Sequence, residues 1–240
     1  MRGMDWIRKV ITLPAWTLAV AVSLAVPVLA QVPARVEIGD GWTMQDAAKV
    51  TAQPAEIASD RVDVRSWYIA VVPGTVLTTL VHAGVYPEPL YGENNRPNHI
   101  PESLNKTSYW YRTVFDVPQS YRGRRIWLNF AGINYSADVW LNGKQIGSMK
   151  GAFRRGIFDV TGLVQPGGRG ILAVHVWPQP HPGIPHEHTI ADGMGSNGGV
   201  TALDGPTFLS TIGWDWIPAI RDRDTGIWDH VTLSATGPGV

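Results

Sequence analysis

Ala137-Asp138-Val139-Trp140-Leu141-Asn142-Gly143-Lys144-Gln145-Ile146-Gly147 sets two alternating apolar and polar runs on either side of an Asn-Gly pair. A two-residue link between antiparallel strands needs positive φ at both central positions, which Asn and Gly tolerate, so the stretch reads as a β-hairpin. Upstream, Arg125 to Phe130 and the aromatic and β-branched run Tyr109 to Asp116 read as further strands, the second stopped by Pro118. Downstream, Gly156 to Val160, Gly170 to Trp177 and Gly226 to Ala235 read the same way. With Trp67 to Val72, and a first short strand entered through Gly39-Asp40-Gly41 before Trp42, the set comes to about eight short strands, as in a β-sandwich or jelly roll. The expected fold class is all-β, an antiparallel sandwich with one short helix, Val76 to Ala83, closed by Gly84. Pro87 to Pro101, rich in Pro and Asn, reads as a long loop, and loops of that length usually serve a function.

Working outward to the ends, Arg2, Arg8 and Lys9 precede an apolar stretch from Val10 to Ala30, with Val28-Leu29-Ala30 before Gln31. Residues 1–30 therefore read as a signal peptide, which predicts a secreted or periplasmic protein. A retained membrane anchor is the alternative, but Pro14 and Pro27 interrupt the run. The segment 31–64 reads as a lead-in with the first strand, 65–235 as the sandwich, and 236–240, Thr-Gly-Pro-Gly-Val, as the start of a linker. The 240 residues carry 20 Lys plus Arg against 20 Asp plus Glu, so no net field favours nucleic acid or an acidic membrane surface. Cysteine is absent, which excludes disulfides and thiolate chemistry. Eleven Trp serve either a core or a sugar-stacking surface, and only position separates the two uses.

Tyr109-Trp110-Tyr111-Arg112, Gly123-Arg124-Arg125-Ile126-Trp127-Leu128-Asn129-Phe130, the hairpin from Ala137 to Gly147, Phe158-Asp159-Val160-Thr161 and Leu172-Ala173-Val174-His175-Val176 form an ordered set. It continues in Gly213-Trp214-Asp215-Trp216-Ile217-Pro218 and Arg221 to Asp229. As a set these blocks resemble the N-terminal sugar-binding, galactose-binding-like jelly roll of glycoside hydrolase family 2, in the form seen in its β-mannosidase and exo-β-glucosaminidase branches. The resemblance implies an exo-β-glycosidase in which this domain is followed by immunoglobulin-like domains and a (β/α)8 barrel carrying two catalytic glutamates. A barrel alone takes roughly 250 residues, and a retaining glycosidase needs two carboxyls about 5–5.5 Å apart. Neither is evident here, so no catalytic residue is assigned and the chain is expected to be inactive alone.

The resemblance assigns sugar contacts to Asp215, flanked by Trp214 and Trp216, since the acidic residue of this motif reaches the barrel mouth in related enzymes. The chemistry agrees: a carboxylate accepts hydroxyl hydrogen bonds while an indole covers the apolar ring face. The competing reading makes both Trp core residues and Asp215 a turn cap. Asn105 is similar to a substrate-contacting asparagine of the β-galactosidase branch, its competing reading being a turn residue before a strand. Arg221-Asp222-Arg223-Asp224 reads as exposed ion pairs that fix a loop, worth about 0–1 kcal/mol each. His181, His186, Glu187 and His188 offer nitrogen and carboxylate ligands that could suit a divalent metal, but their spacing matches no helix-borne zinc motif and the prolines among them indicate an irregular loop, so neither metal nor cofactor is expected. The Gly-rich run Asp192 to Gly199 reads as a loop at a pocket rim. The expected partners are a β-linked glycan and further domains of the same polypeptide. A free-standing carbohydrate-binding module and a pure scaffold remain the alternative functions.

Overall fold

Alternation along the strands fixes two inward faces, and the computed structural model of the chain, which describes residues 35–182 and 220–238, packs them against each other. One sheet holds β1 (Arg35–Glu37), β10 (Val231–Pro238), β5 (Arg124–Phe130) and β8 (Gly156–Asp159), in that order. The other holds β3 (Tyr68–Ile69), β2 (Thr43–Asp46), β4 (Tyr109–Asp116), β9 (Arg169–Trp177), β6 (Ser136–Leu141) and β7 (Lys144–Lys150). Every pairing is antiparallel, so the all-β sandwich expected from the sequence is what forms. Tyr109, Tyr111 and Phe115 of β4, Leu172, Val174 and Val176 of β9, and Ala137, Val139 and Leu141 of β6 face Ile126, Leu128, Phe130, Val231 and Leu233 in one buried cluster. Burying such a Leu or Phe contributes about 1.5–3 kcal/mol each.

The hairpin turn forms as its residues require, with Asn142 and Gly143 at φ +49 and +82. Asn142 does more than turn: its Nδ2 donates to the Leu163 carbonyl at 2.7 Å and its Oδ1 accepts from the Ile171 N–H at 2.8 Å. The side chain thus ties the hairpin to β9 and to the loop after β8.

Two helices are described, not one. α2 (Val76–His82) is the expected helix, its first turn capped by the Thr75 side chain accepting from the Thr78 N–H. α1 (Pro54–Ile57) is a single turn, too short for a periodic signal. It lies on the outer face of the six-stranded sheet, where Ile57 and Ala58 pack with Trp110 and Ala173 in a second apolar cluster. Arg112 points to the same face and donates from Nε to the Ile57 carbonyl and from Nη2 to the Ser59 carbonyl, satisfying acceptors at the end of that turn. Segment 47–67 is therefore a cover for the sheet. Trp42, 1% exposed, is core, and Trp110 and Trp140 belong to the outer cluster.

Strand limits differ from those read in the sequence at three places. The strand expected over Trp67 to Val72 is only Tyr68–Ile69, and Gly226 to His230 precede the last strand, with Gly226 bridging Asn134 alone. β10 also runs to Pro238, pairing Thr236 with Arg125, so residues read as the start of a linker continue the ladder. Among the described residues no helix is long and apolar enough to cross a membrane.

Candidate functional site

Antiparallel pairing brings the start of β4, the start of β6 and the finish of β9 to one end of the six-stranded sheet, since Tyr109 pairs with Val176 and Ser136 with Trp177. The short helical turn Glu102–Lys106 enters β4 there, and the Arg221–Asp224 run lies against it. Glu102 joins the two. Its Oε1 accepts from Arg221 Nη1 at 2.6 Å, and its Oε2 accepts from Arg223 Nη2 at 2.8 Å and from Asn105 Nδ2 at 2.9 Å. The Arg221 and Arg223 side chains are 5% and 0% exposed. Burial by itself would raise the Glu102 carboxyl, but the hydrogen bonds and charges of the two guanidiniums outweigh it and hold the group below the usual carboxylate range.

The exposed ion pairs expected of Arg221-Asp222-Arg223-Asp224 are thus corrected to a buried network. The physical reason is that Arg221, Asp222 and Arg223 are each met by groups from other elements. Asp222 is fully buried; its Oδ2 accepts from the Leu77 N–H at 2.6 Å and its Oδ1 from the Asp224 N–H at 2.9 Å, so it anchors the first turn of α2. Burial raises the Asp222 carboxyl despite those donors. Asp224, at φ +55, is pushed up to about 6 by burial first and by the neighbouring Asp222 charge second. Asn134 closes the arrangement by donating Nδ2 to the carbonyls of Arg223 and Asp224 at 2.8 and 3.0 Å.

Arg223 has a further task. Its Nε donates to the Pro182 carbonyl at 2.8 Å and its Nη1 to the Ile220 carbonyl at 2.7 Å. Pro182 and Ile220 are the described residues on either side of segment 183–219, so one buried guanidinium holds both attachment points of the segment that contains Trp214-Asp215-Trp216. Trp214, Asp215 and Trp216 themselves lie outside the described residues, as do His186, Glu187, His188 and the Asp192 to Gly199 run.

Asn105 is described, and it is 1% exposed. Besides Glu102, its Nδ2 donates to the Arg221 carbonyl at 3.1 Å, while its buried Oδ1 meets no donor among the described residues. A buried acceptor in that state costs about 1–3 kcal/mol, and it retains its full accepting capacity. Sequence reasoning singled out Asn105, whose described partners are Glu102 and the Arg221 carbonyl, but not Glu102, Asn134 or the bridging role of Arg223. No group of three or more His, Asp or Glu placed to hold a metal ion occurs among the described residues.

Beside this network, His175 stacks on Trp110 at 4.4 Å between ring centres and lies 4.0 Å from Trp177. Trp177 is 41% exposed and donates Nε1 to Asp138 Oδ2 at 2.8 Å. An aromatic surface therefore borders the loop end, on the outer face of the six-stranded sheet.

The family described as "Glycosyl hydrolase 2 galactose-binding domain-like" matches residues 42–229. A mannosylglycoprotein endo-beta-mannosidase of Lilium longiflorum is 41% identical over 208 residues, covering 84% of this chain and 21% of that protein. An exo-beta-D-glucosaminidase of Streptomyces avermitilis is 30% identical over 202 residues, covering 82% of this chain and 19% of its own length. Among solved structures, the exo-chitosanase of Amycolatopsis orientalis superposes with a TM-score of 0.62 at 25% identity, over 85% of this chain and 21% of that one. The chain thus spans about a fifth of the length of the relatives it matches.

Proposed function

Because the chain belongs to glycoside hydrolase family 2 through its galactose-binding-like domain, we propose that it is the sugar-recognition sandwich of an exported exo-β-glycosidase. In this reading the loop end forms part of the wall of the substrate pocket. Asp215 accepts hydroxyl hydrogen bonds from the sugar, Trp214 and Trp216 cover its apolar face, and Asn105 adds a carboxamide acceptor. A barrel downstream in the same polypeptide supplies the general acid and the nucleophile. The observation that carries the reading is the Arg223 clamp on Pro182 and Ile220, because a segment that meets substrate needs fixed attachment points. The match to enzymes named for β-mannosidic and β-glucosaminidic substrates supports a β-linked hexose or aminohexose as the sugar. Those names include both endo and exo action, and the exo reading follows the glucosaminidases.

In the full-length enzyme, Asp215→Asn is expected to lower kcat/KM for an aryl β-glycoside by about ten- to hundredfold, the loss of one charge-assisted hydrogen bond. An unchanged kcat/KM would remove Asp215 from the pocket wall. Micromolar binding of neutral oligosaccharides by the chain alone would favour a free-standing binding module instead. Export is part of the proposal and rests on residues 1–30; the first residue of the secreted protein is expected to be Gln31.

A further inference from the structure

The two sheets end side by side on one flank, where β7 is the last strand of the larger and β8 the last strand of the smaller. Residues 150–155 join them and carry Lys150, Arg154 and Arg155, all exposed. The other arginines near carboxylates are engaged: Arg65 with Asp63, Arg96 with Glu93, Arg125 with Asp159, and Arg221 and Arg223 with Glu102. Lys150, Arg154 and Arg155 have no carboxylate partner among the described residues. Asp138, two residues along β6 from the partner of Lys150, has its oxygens occupied by Ser148 Oγ and Trp177 Nε1. In a chain of zero net charge this is a local concentration of positive potential.

The cations surround shaped space. A cleft of about 330 Å³ is lined by Tyr135, Lys150, Phe153 and Arg154, and an adjoining one of about 240 Å³ by Lys150, Arg154, Arg155 and Phe158, so Lys150 and Arg154 stand on the wall between them. Small-molecule sites begin at about 300 Å³. The turn is held from beneath. Gly151 donates its N–H to the Tyr135 carbonyl at 2.8 Å, and the Trp228 Nε1 donates to the Ala152 carbonyl at 2.9 Å. Gly151 sits at φ +111, and the stem of Arg154 lies where a side chain at 151 would be, 3.3 Å from an added Cβ. Phe153 is 54% exposed and meets Trp228 edge to face at 6.0 Å.

We propose that this turn is a second binding site, for an anionic sugar residue: a pyranose bearing a carboxylate or a sulfate ester. Phe153 and Tyr135 take the ring, while Lys150 and Arg154 take the anionic group with charge-assisted hydrogen bonds. The anion pocket stands on the geometry of the turn alone; only the choice of a sugar as the ring rests on the functional reading above. None of its residues belongs to the Glu102 network or to the Trp214-Asp215-Trp216 motif.

The test titrates the chain with methyl β-glucuronide, methyl glucoside 6-sulfate, methyl β-glucoside and sodium sulfate, followed by NMR or calorimetry at low and at 0.3 M salt. One or both anionic glycosides are expected to bind about tenfold tighter than the neutral glycoside and than free sulfate, and to weaken with salt. The two anionic arms tell a carboxylate from a sulfate ligand. Lys150→Ala and Arg154→Ala should each weaken that binding about tenfold, and Phe153→Ala should weaken every ring-bearing ligand. Asp215→Asn should leave it unchanged, so this site and the pocket-wall reading succeed or fail separately. Equal affinity for neutral and anionic glycosides, equal affinity for free sulfate, or binding that survives the Lys150→Ala, Arg154→Ala double variant would each overturn the proposal.

Discussion

Glu102 is the residue on which the loop end depends, since it neutralises two guanidiniums that are almost wholly removed from water. Removing one member of such a buried pair leaves the other charge uncompensated, which costs about 3–5 kcal/mol in comparable cases. Glu102→Ala is therefore expected to destabilise the domain by about 3 kcal/mol in urea unfolding, with Glu102→Gln intermediate because it retains an acceptor. Asp224 presents the opposite case. Its folded carboxyl keeps the proton to about pH 6, whereas in the unfolded chain it loses it near pH 4, so the native state holds more protons in between and stability falls as pH rises through that window. Asp224→Asn removes this penalty while keeping a residue that accepts φ +55. The variant should match the parent below pH 4 and exceed it by up to about 3 kcal/mol above pH 6, measured as unfolding free energy against pH. Equal curves at all pH values would mean that Asp224 is solvated.

Among the elements, the hairpin was the most legible from sequence because everything that specifies it is local: alternation, then Asn142-Gly143. The length of β4 was legible for the same reason, with Pro118 beyond its end. What the local pattern does not contain is the second use of Asn142 as a tie to Leu163 and Ile171. Asn142→Gly keeps the turn geometry but loses both hydrogen bonds, so it should cost about 1–2 kcal/mol, whereas a residue acting only as a turn former would lose a few tenths at most. Thermal denaturation of the two proteins separates these outcomes. The covering segment 47–67 was illegible because its single helical turn has no period to detect. It is held instead by Arg112 and by the apolar cluster around Trp110, which are contacts across more than 50 residues of sequence, 55 and 53 for the two Arg112 bonds.

Across the whole molecule, the fold class followed from strand count and turn chemistry, while the site did not follow from residue type. The Arg221–Asp224 run looks like a solvated charge cluster when read alone. It is buried because Glu102, 119 and 121 residues away from its two arginine partners, and the N–H of Leu77, 145 residues from Asp222, come to it in the folded state. Position also divides the tryptophans: Trp42 fills the core, Trp110 and Trp140 lie under a covering segment, and Trp177 faces outward beside His175. The result is a sandwich that spends its buried charges on holding a loop end in place. Among the described residues Asp222 anchors α2 and Glu102 sits between two arginines, so these two carboxylates serve to hold the fold.

The account stands or falls on where bond cleavage takes place. The direct measurement is release of nitrophenol from aryl β-mannoside and aryl β-glucosaminide by the purified chain alone, run beside an intact family 2 β-glycosidase. The expected result is a rate equal to that of buffer for the chain and normal turnover for the intact enzyme. Hydrolysis that co-purifies with the chain and disappears when it is heat-denatured would contradict the assignment of recognition, rather than catalysis, to this domain.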